Sequence, residues 1–172
     1  DVALWEFTDD NDSDMGFSYG QTQIVKSNLN ATSTTGANSG DWLVIVPNGY
    51  NSTASDGQVG SGEAVLFILD PSDGSVIRRI STGVGSVANP NGLSSPVAVS
   101  IDGDLTIEYV YAGDLQGNLW KFDLRSTDSS DWEVAYGQPL FSAGADSPIT
   151  ARPVVASHPA NLSGRVIHFG TG

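Results

Sequence analysis

Three sequence elements recur along this chain in a fixed order, and that repeat limits the fold more than any other feature. The first is an aromatic-aliphatic run that closes on Asp. It reads Leu4-Trp5-Glu6-Phe7 with Asp9 just after, then Leu66-Phe67-Ile68-Leu69-Asp70, then Leu119-Trp120-Lys121-Phe122-Asp123, starting 62 and then 53 positions apart. The second is an apolar run that ends in a glycine turn. Its copies are Val44-Ile45-Val46-Pro47-Asn48-Gly49, Tyr109-Val110-Tyr111-Ala112-Gly113 and Val166-Ile167-His168-Phe169-Gly170. The third is Pro followed by small and β-branched residues, as Pro96-Val97-Ala98-Val99 and Pro153-Val154-Val155-Ala156, 57 positions apart. Chance apolar clustering does not keep three elements in one order.

Each apolar run is short and bounded by Gly, Asn, Asp or Pro, which is strand length and strand chemistry. No window of twelve or more residues carries a clear 3.6-residue apolar period. The chain is therefore expected to be all-β. The repeating unit reads as four strands. In its clearest copy these are Pro96 to Ile101, Glu108 to Ala112, Asn118 to Leu124, and a fourth near Trp132 to Tyr136. Four short antiparallel strands per unit of about 40–60 residues is the pattern of a β-propeller blade. On that frame 1–17 ends one blade, 18–82 and 94–143 are full blades, and 150–172 gives the first two strands of another. Propellers close with about 4–8 blades, so the chain reads as part of a larger ring. The alternative is an open β-sandwich of about eight strands. The recurring strand order favours the propeller. The start Asp1-Val2-Ala3-Leu4-Trp5 reads as mid-strand, so the sequence is expected to begin inside a longer protein.

Charge and composition exclude several functions. The formal net charge is −13, from 20 acidic and 7 basic residues. Nothing here could release counterions from phosphates over a broad face, so a general nucleic-acid binder is excluded. With no cysteine, disulfides, thiolate metal sites and thiol nucleophiles are excluded together. No apolar run approaches the roughly 20 residues that span a bilayer, and the first residues are not a signal peptide. Two polar Ser/Thr/Asn/Gly stretches, 27–40 and 51–62, read as loops. Asn30, Asn51 and Asn161 each open a glycosylation sequon, at a frequency this composition supplies by chance.

Hydrolytic chemistry is unsupported. The two histidines, His158 and His168, stand in a loop and a predicted strand with no nucleophile motif beside them. No phosphate-binding or dinucleotide fingerprint is present. The acidic loop Ser100-Ile101-Asp102-Gly103-Asp104-Leu105-Thr106-Ile107-Glu108 is the better candidate. Oxygen donors alternate at Ser100, Asp102, Asp104, the Thr106 carbonyl and Glu108, and calcium takes 6–8 hard oxygen ligands. Ser stands at the first position and Leu105 at the sixth, where such turns want Gly. The competing reading is an Asp-Gly turn joining two strands. A second run, Asp9 to Asp14, lacks the Gly and the late acidic ligand and reads as a solvated acidic turn. Asp114 is expected to cap the amides of a turn through Gly117, which needs positive φ. Trp5, Trp120 and Trp132 are expected to pack between sheets rather than stack on a ligand.

The stretch Tyr109 to Leu124, with its block Ala112-Gly113-Asp114-Leu115-Gln116-Gly117-Asn118-Leu119-Trp120, resembles the C-terminal propeller of the PilY family. So do Leu4 to Asp9, Asn48 to Ser52, Asn91 to Pro96, and His158-Pro159 through Phe169-Gly170-Thr171-Gly172. Members of that family are type IV pilus tip adhesins and biogenesis factors. The resemblance implies a modified quinoprotein-like propeller, extracellular, on a bacterial surface at or near the pilus tip. It implies a non-enzymatic module whose partners are pilus proteins, minor pilins among them, and a host or surface ligand. It also implies a calcium loop that controls pilus extension against retraction, matching Ser100–Glu108 here. The family pattern has Asp at the first and ninth positions, so Ser100 and Glu108 depart from it and one charge is missing. The family's N-terminal adhesive region is not seen in this sequence. The alternatives are a segment of a quinone-dependent dehydrogenase, which shares the propeller and would hold calcium and a quinone centrally, and a propeller that scaffolds outer-membrane proteins.

Overall fold

A computed structural model describes residues 3–29, 42–54, 58–160 and 164–172. Two of the three sequons, at Asn30 and Asn161, lie outside the described residues, and so does most of the polar stretch 27–40. Eleven strands form three antiparallel sheets among the described residues. Sheet one contains β1 (Gln23–Lys26), β2 (Trp42–Pro47), β3 (Glu63–Leu69) and β4 (Val76–Gly85) in chain order. Sheet two contains β5 (Val97–Val99), β6 (Tyr109–Gly113), β7 (Asn118–Asp123) and β8 (Glu133–Val134), with β9 (Phe141–Ser142) also on β7. Sheet three is the pair β10 (Val154–Ser157) and β11 (Arg165–His168).

Burial explains why β2 and β3 read as unbroken apolar runs rather than as alternation. One face of sheet one packs Leu43, Ile45, Leu66 and Ile68 against Val110, Trp120, Phe122 and Trp132 of sheet two. The other face packs Val44, Val46, Val65 and Phe67 with Met15, and Trp5 and Phe7 lie against it. A sheet covered on both faces has no solvent side to reward a polar residue. Successive sheets are also tied at both edges. Gln23 of β1 accepts from the Ala98 amide of β5 at 2.7 Å, and Arg78 of β4 donates to the Trp132 carbonyl at 3.1 Å. This stacking of separate sheets, first strand beside first strand and fourth beside fourth, rules out the open sandwich.

The aspartates that close the third strands have a shared role. Asp70 Oδ1 accepts from the Ser72 amide at 2.8 Å, and Asp123 Oδ1 accepts from the Arg125 amide at 3.1 Å. Each carboxylate caps the amide two residues on and turns the chain out of the strand.

Three expectations are corrected. Leu4 to Phe7 forms no strand, and pairs with none among the described residues. It docks by side chains instead. Trp5 Nε1 donates to the Pro71 carbonyl at 3.0 Å, and the Phe7 ring meets Phe67 edge-on with centroids 5.1 Å apart. The fourth strand near Trp132 to Tyr136 is only two residues long. Tyr136 takes φ 68°, which breaks the extended chain, and β9 resumes pairing with β7 further along. The acidic run at 9–14 is not wholly solvated. Asp14 is buried, takes the Ser61 amide at 2.5 Å, and pairs with Arg79, whose Nε lies 3.5 Å from Asp12. Trp120 and Trp132 are fully buried in the core between sheets one and two.

Candidate functional site

The acidic loop leaves sheet two where β5 ends and returns at β6. Its turn is set by two residues with positive φ, Gly103 at 85° and Leu105 at 75°. Leu105 holds the left-handed conformation that Gly adopts without strain, and its side chain is 75% exposed. The turn brings Asp102, Asp104 and Glu108 together, with one carboxylate oxygen of each within 4.8 Å of the others. Asp102 and Asp104 are exposed and Glu108 is buried. The hydroxyls of Thr106 and Ser100 lie beside them, whereas the donor expected at Thr106 is its carbonyl. The Thr106 hydroxyl donates to Asp104 Oδ1 at 2.6 Å and lies 3.5 Å from Glu108 Oε1. Ser100 Oγ accepts from the Gly103 amide at 3.3 Å and lies 3.5 Å from Asp102 Oδ1.

Within the loop, amides hold the carboxylates in place. Asp102 Oδ1 accepts from the Asp104 amide at 3.1 Å, and Asp104 Oδ1 from the Thr106 amide at 2.8 Å. Bonds from the Thr106 hydroxyl and amide hold the Asp104 carboxyl below the usual carboxylate range. Glu108 Oε2 accepts from the Ile101 amide at 2.6 Å, which closes the loop from first turn to last. The donors that converge are all oxygen, three of them anionic. That set fits a hard cation of calcium's class and offers nothing to a softer metal that prefers nitrogen or sulfur.

Two contacts from outside the loop were not read from the sequence. Lys26, at the end of β1, pairs with Thr106 in a parallel bridge, and its carbonyl accepts from the Ile107 amide at 2.9 Å. Arg165, at the start of β11, donates from Nη2 to the Ile101 carbonyl at 2.7 Å and from Nη1 to Ser157 Oγ at 2.5 Å. Neither is near the loop in sequence, and only the stacking of the sheets brings them there.

A cleft of about 660 Å³ opens beside the loop between sheets two and three, lined by Ile101, Tyr109, Tyr111, Lys121, His158 and Arg165 among others. Lys121 Nζ sits 3.6 Å from the centroid of the Tyr109 ring. Burial pushes the Tyr109 and Tyr111 hydroxyls above their ordinary range. His158 Nδ1 accepts from the Ala160 amide at 3.2 Å, a local turn contact. His168 lies on β11, paired with Val154.

The polar network around Asp114 holds the sheets that carry this loop. Asp114 Oδ1 accepts from the Gln116 and Asn118 amides, at 2.9 and 2.8 Å. Oδ2 accepts from Asn91 Nδ2, Asn118 Nδ2 and Trp120 Nε1, at 2.9, 3.0 and 2.8 Å. Asn91 also donates to the Val84 carbonyl of β4 at 3.1 Å, joining sheet one to sheet two. Gly117 has φ 76°, as the turn requires. Asn48 is the counterpart in sheet one. Its Oδ1 accepts from the Val65 and Leu93 amides, at 3.1 and 2.9 Å.

Residues 2–172 match the family described as the PilY1 beta-propeller domain. A type IV pilus biogenesis factor PilY1 homolog of Xylella fastidiosa is 37% identical over 188 residues, covering 99% of this chain and 12% of that protein. Type IV pilus biogenesis factor PilY1 of Pseudomonas aeruginosa is 35% identical over 190 residues, covering 98% of this chain and 15% of that protein. The crystal structure of the Pseudomonas aeruginosa PilY1 C-terminal domain matches with a TM-score of 0.79 and 35% identity, over 98% of this chain and 35% of that one. The chain thus spans under a sixth of the curated relatives' length.

Proposed function

Because this chain belongs to the PilY1 β-propeller family, we propose that it is a non-enzymatic part of a type IV pilus biogenesis factor and adhesin. It acts outside the cell at the pilus tip, with pilus proteins, minor pilins among them, and a host or surface ligand as partners. Each sheet is read as one blade: 18–82 and 94–143 are full blades, 1–17 ends another, and 150–172 begins the next. Among the described residues no helix is long and apolar enough to cross a membrane.

The observation that carries a regulatory role is the convergence of Asp102, Asp104 and Glu108 in the loop between β5 and β6. These three would hold calcium, with Ser100 and the Thr106 carbonyl as neutral donors. Bound there, calcium would supply charge neutralisation among three carboxylates that otherwise repel. Glu108, buried in the residue just before β6, reaches the cluster from there, so the loop's charge balance bears on the core of sheet two. With one charge fewer than the family pattern, binding is expected near ~10⁻⁴–10⁻³ M. At 100 times that constant the folded state gains about 2.7 kcal/mol.

The test is a melting curve with calcium, magnesium or chelator, on wild type and Asp104→Asn, beside piliation and surface motility of cells carrying each. The reading expects a calcium-specific rise that Asp104→Asn abolishes and an altered balance of extension and retraction in those cells. No shift at millimolar calcium would leave the loop an ordinary strand connection. Normal pili and motility in a strain lacking the whole gene would overturn the pilus role.

A further inference from the structure

The acidic loop is attached to three successive sheets, and the three attachments differ in kind. Sheet two supplies the loop itself. Sheet one holds its exit through backbone, by the Lys26–Thr106 bridge and the Ile107 amide on the Lys26 carbonyl. Sheet three holds its first turn through one side chain, the Arg165 guanidinium on the Ile101 carbonyl. The Ile101 peptide is thus gripped from both ends. Its amide is held by Glu108 Oε2 at 2.6 Å and its carbonyl by Arg165 at 2.7 Å. Arg165 is anchored in turn on Ser157 of β10, the strand paired with β11.

From this chain of contacts we infer that Arg165 is a positioning residue for the cation loop, and that cation occupancy is relayed through Ile101 to the docking of β10–β11 on sheet two. The inference rests on the calcium reading above. Glu108 faces the carboxylate cluster while one of its oxygens stays on the Ile101 amide, so fixing Glu108 fixes that peptide. A fixed Ile101 carbonyl is a better acceptor for Arg165 than one that wanders. The backbone bridge to sheet one is present whatever the side chains do. The tie to sheet three is a single exposed side-chain contact, which a modest bias can make or break. Arg165 also lines the cleft between sheets two and three, so its engagement sets how firmly that cleft is closed at the loop end. Linkage makes the effect reciprocal: whatever factor calcium adds to the docking of sheet three, that docking adds to calcium binding.

The test combines amide hydrogen exchange with calcium titration on the full-length protein, as wild type, Arg165→Met and Asp104→Asn. In wild type, calcium should slow exchange in β10 and β11 by roughly fivefold, the low end of the usual coupling range. Arg165→Met should lose that response and weaken calcium binding by up to the same factor, while exchange in β2, β3 and β6 stays unchanged as the sign of an intact fold. Asp104→Asn should lose both binding and response. Wild type that binds calcium without any change in β10 and β11 overturns the relay and leaves the loop reading standing. So does Arg165→Met that keeps both the response and the affinity. Wild type that binds no calcium removes the loop reading and the relay together. The wild-type comparison stands even if Arg165→Met fails to fold.

Discussion

Trp120 Nε1 donates to Asp114 Oδ2 at 2.8 Å, in a place where Asp114 is 0% and Trp120 1% exposed. The indole of a core strand therefore neutralises part of a carboxylate that also takes two amides and two side-chain NH₂ groups. A buried carboxylate is tolerated when donors surround it, and five protein N–H groups do so here.

Removing the hub breaks five hydrogen bonds, and of the five donors only Asn91 Nδ2 keeps a second acceptor among the described residues, the Val84 carbonyl. Asp114→Ala should lower unfolding stability by roughly 3–5 kcal/mol. Trp120→Phe removes one charge-assisted bond while keeping most of the ring, and should cost about 2 kcal/mol. Urea denaturation of both variants checks this. A loss under 1 kcal/mol for Asp114→Ala would mean that Asn91 and Asn118 find other partners.

Gly117 carries two constraints at once. Its φ is 76°, and a Cβ there would collide with the Gly144 carbonyl oxygen and sit 2.8 Å from that of Ser147. Gly117→Val should destabilise by about 3 kcal/mol, from left-handed strain plus forced backbone movement. Gly103→Ala is the control, with φ 85° but nothing within 4 Å, and should cost only about 1 kcal/mol. Equal melting temperatures for the two variants would refute the steric part.

Leu105 sits at φ 75° with its side chain in solvent, so the strain brings no packing in return. Leu105→Gly should raise stability by about 0.5–1 kcal/mol, the left-handed strain relieved being partly offset by the entropy of Gly in the unfolded chain. A melting curve in chelator isolates this from any cation effect. Destabilisation would show that Leu105 makes contacts its exposure does not suggest.

Three exposed aspartates contribute to the acid response. At Asp73 and Asp128 the amides of Ser75 and Ser130 are the larger cause and the hydroxyls the smaller; at Asp104 the Thr106 hydroxyl leads and its amide follows. All three carboxyls are held below the ordinary Asp value of 3.8. A depressed folded pKa means the unfolded chain binds protons first. Their contribution is thus present above the ordinary value and is lost as pH falls through the folded ones. Unfolding midpoints between pH 6 and pH 3 should fall mainly below about pH 4, and less steeply in the triple Asp→Asn variant. An unchanged slope in that variant would assign the acid loss elsewhere.

The repeat made β2, β3, β5, β6, β7, β10 and β11 readable, because these runs combine apolar content with bounding turn residues, while β1, β4 and β9 carry no such mark. Asp70, Asp123 and Gly117 act within a few residues of themselves, and so they show in the sequence. The convergence of Asp102, Asp104 and Glu108 was legible for the same reason. Leu4 to Phe7 misled because its composition matches β3 and β7, while a strand also needs a paired neighbour, which none of the described residues supplies. The second strand-like stretch that misled, Trp132 to Tyr136, hides its break at Tyr136, a residue type that gives no warning of positive φ. Arg165 and Lys26 could not be found from the loop at all, since their approach depends on how whole sheets stack.

From Ala64 to Leu69 every side chain of β3 is 0% exposed, with no charge between Glu63 and Asp70. Before β2 and β4 close on either side, that segment is an unpaired apolar strand of the kind that adds to copies of itself. Glu63 and Asp70 stand at its two borders as gatekeepers, whose like charges would be stacked in any self-paired ribbon. The six residues that make sheet one firm are therefore its aggregation hazard during synthesis, and two carboxylates guard the interval before the neighbouring strands cover them.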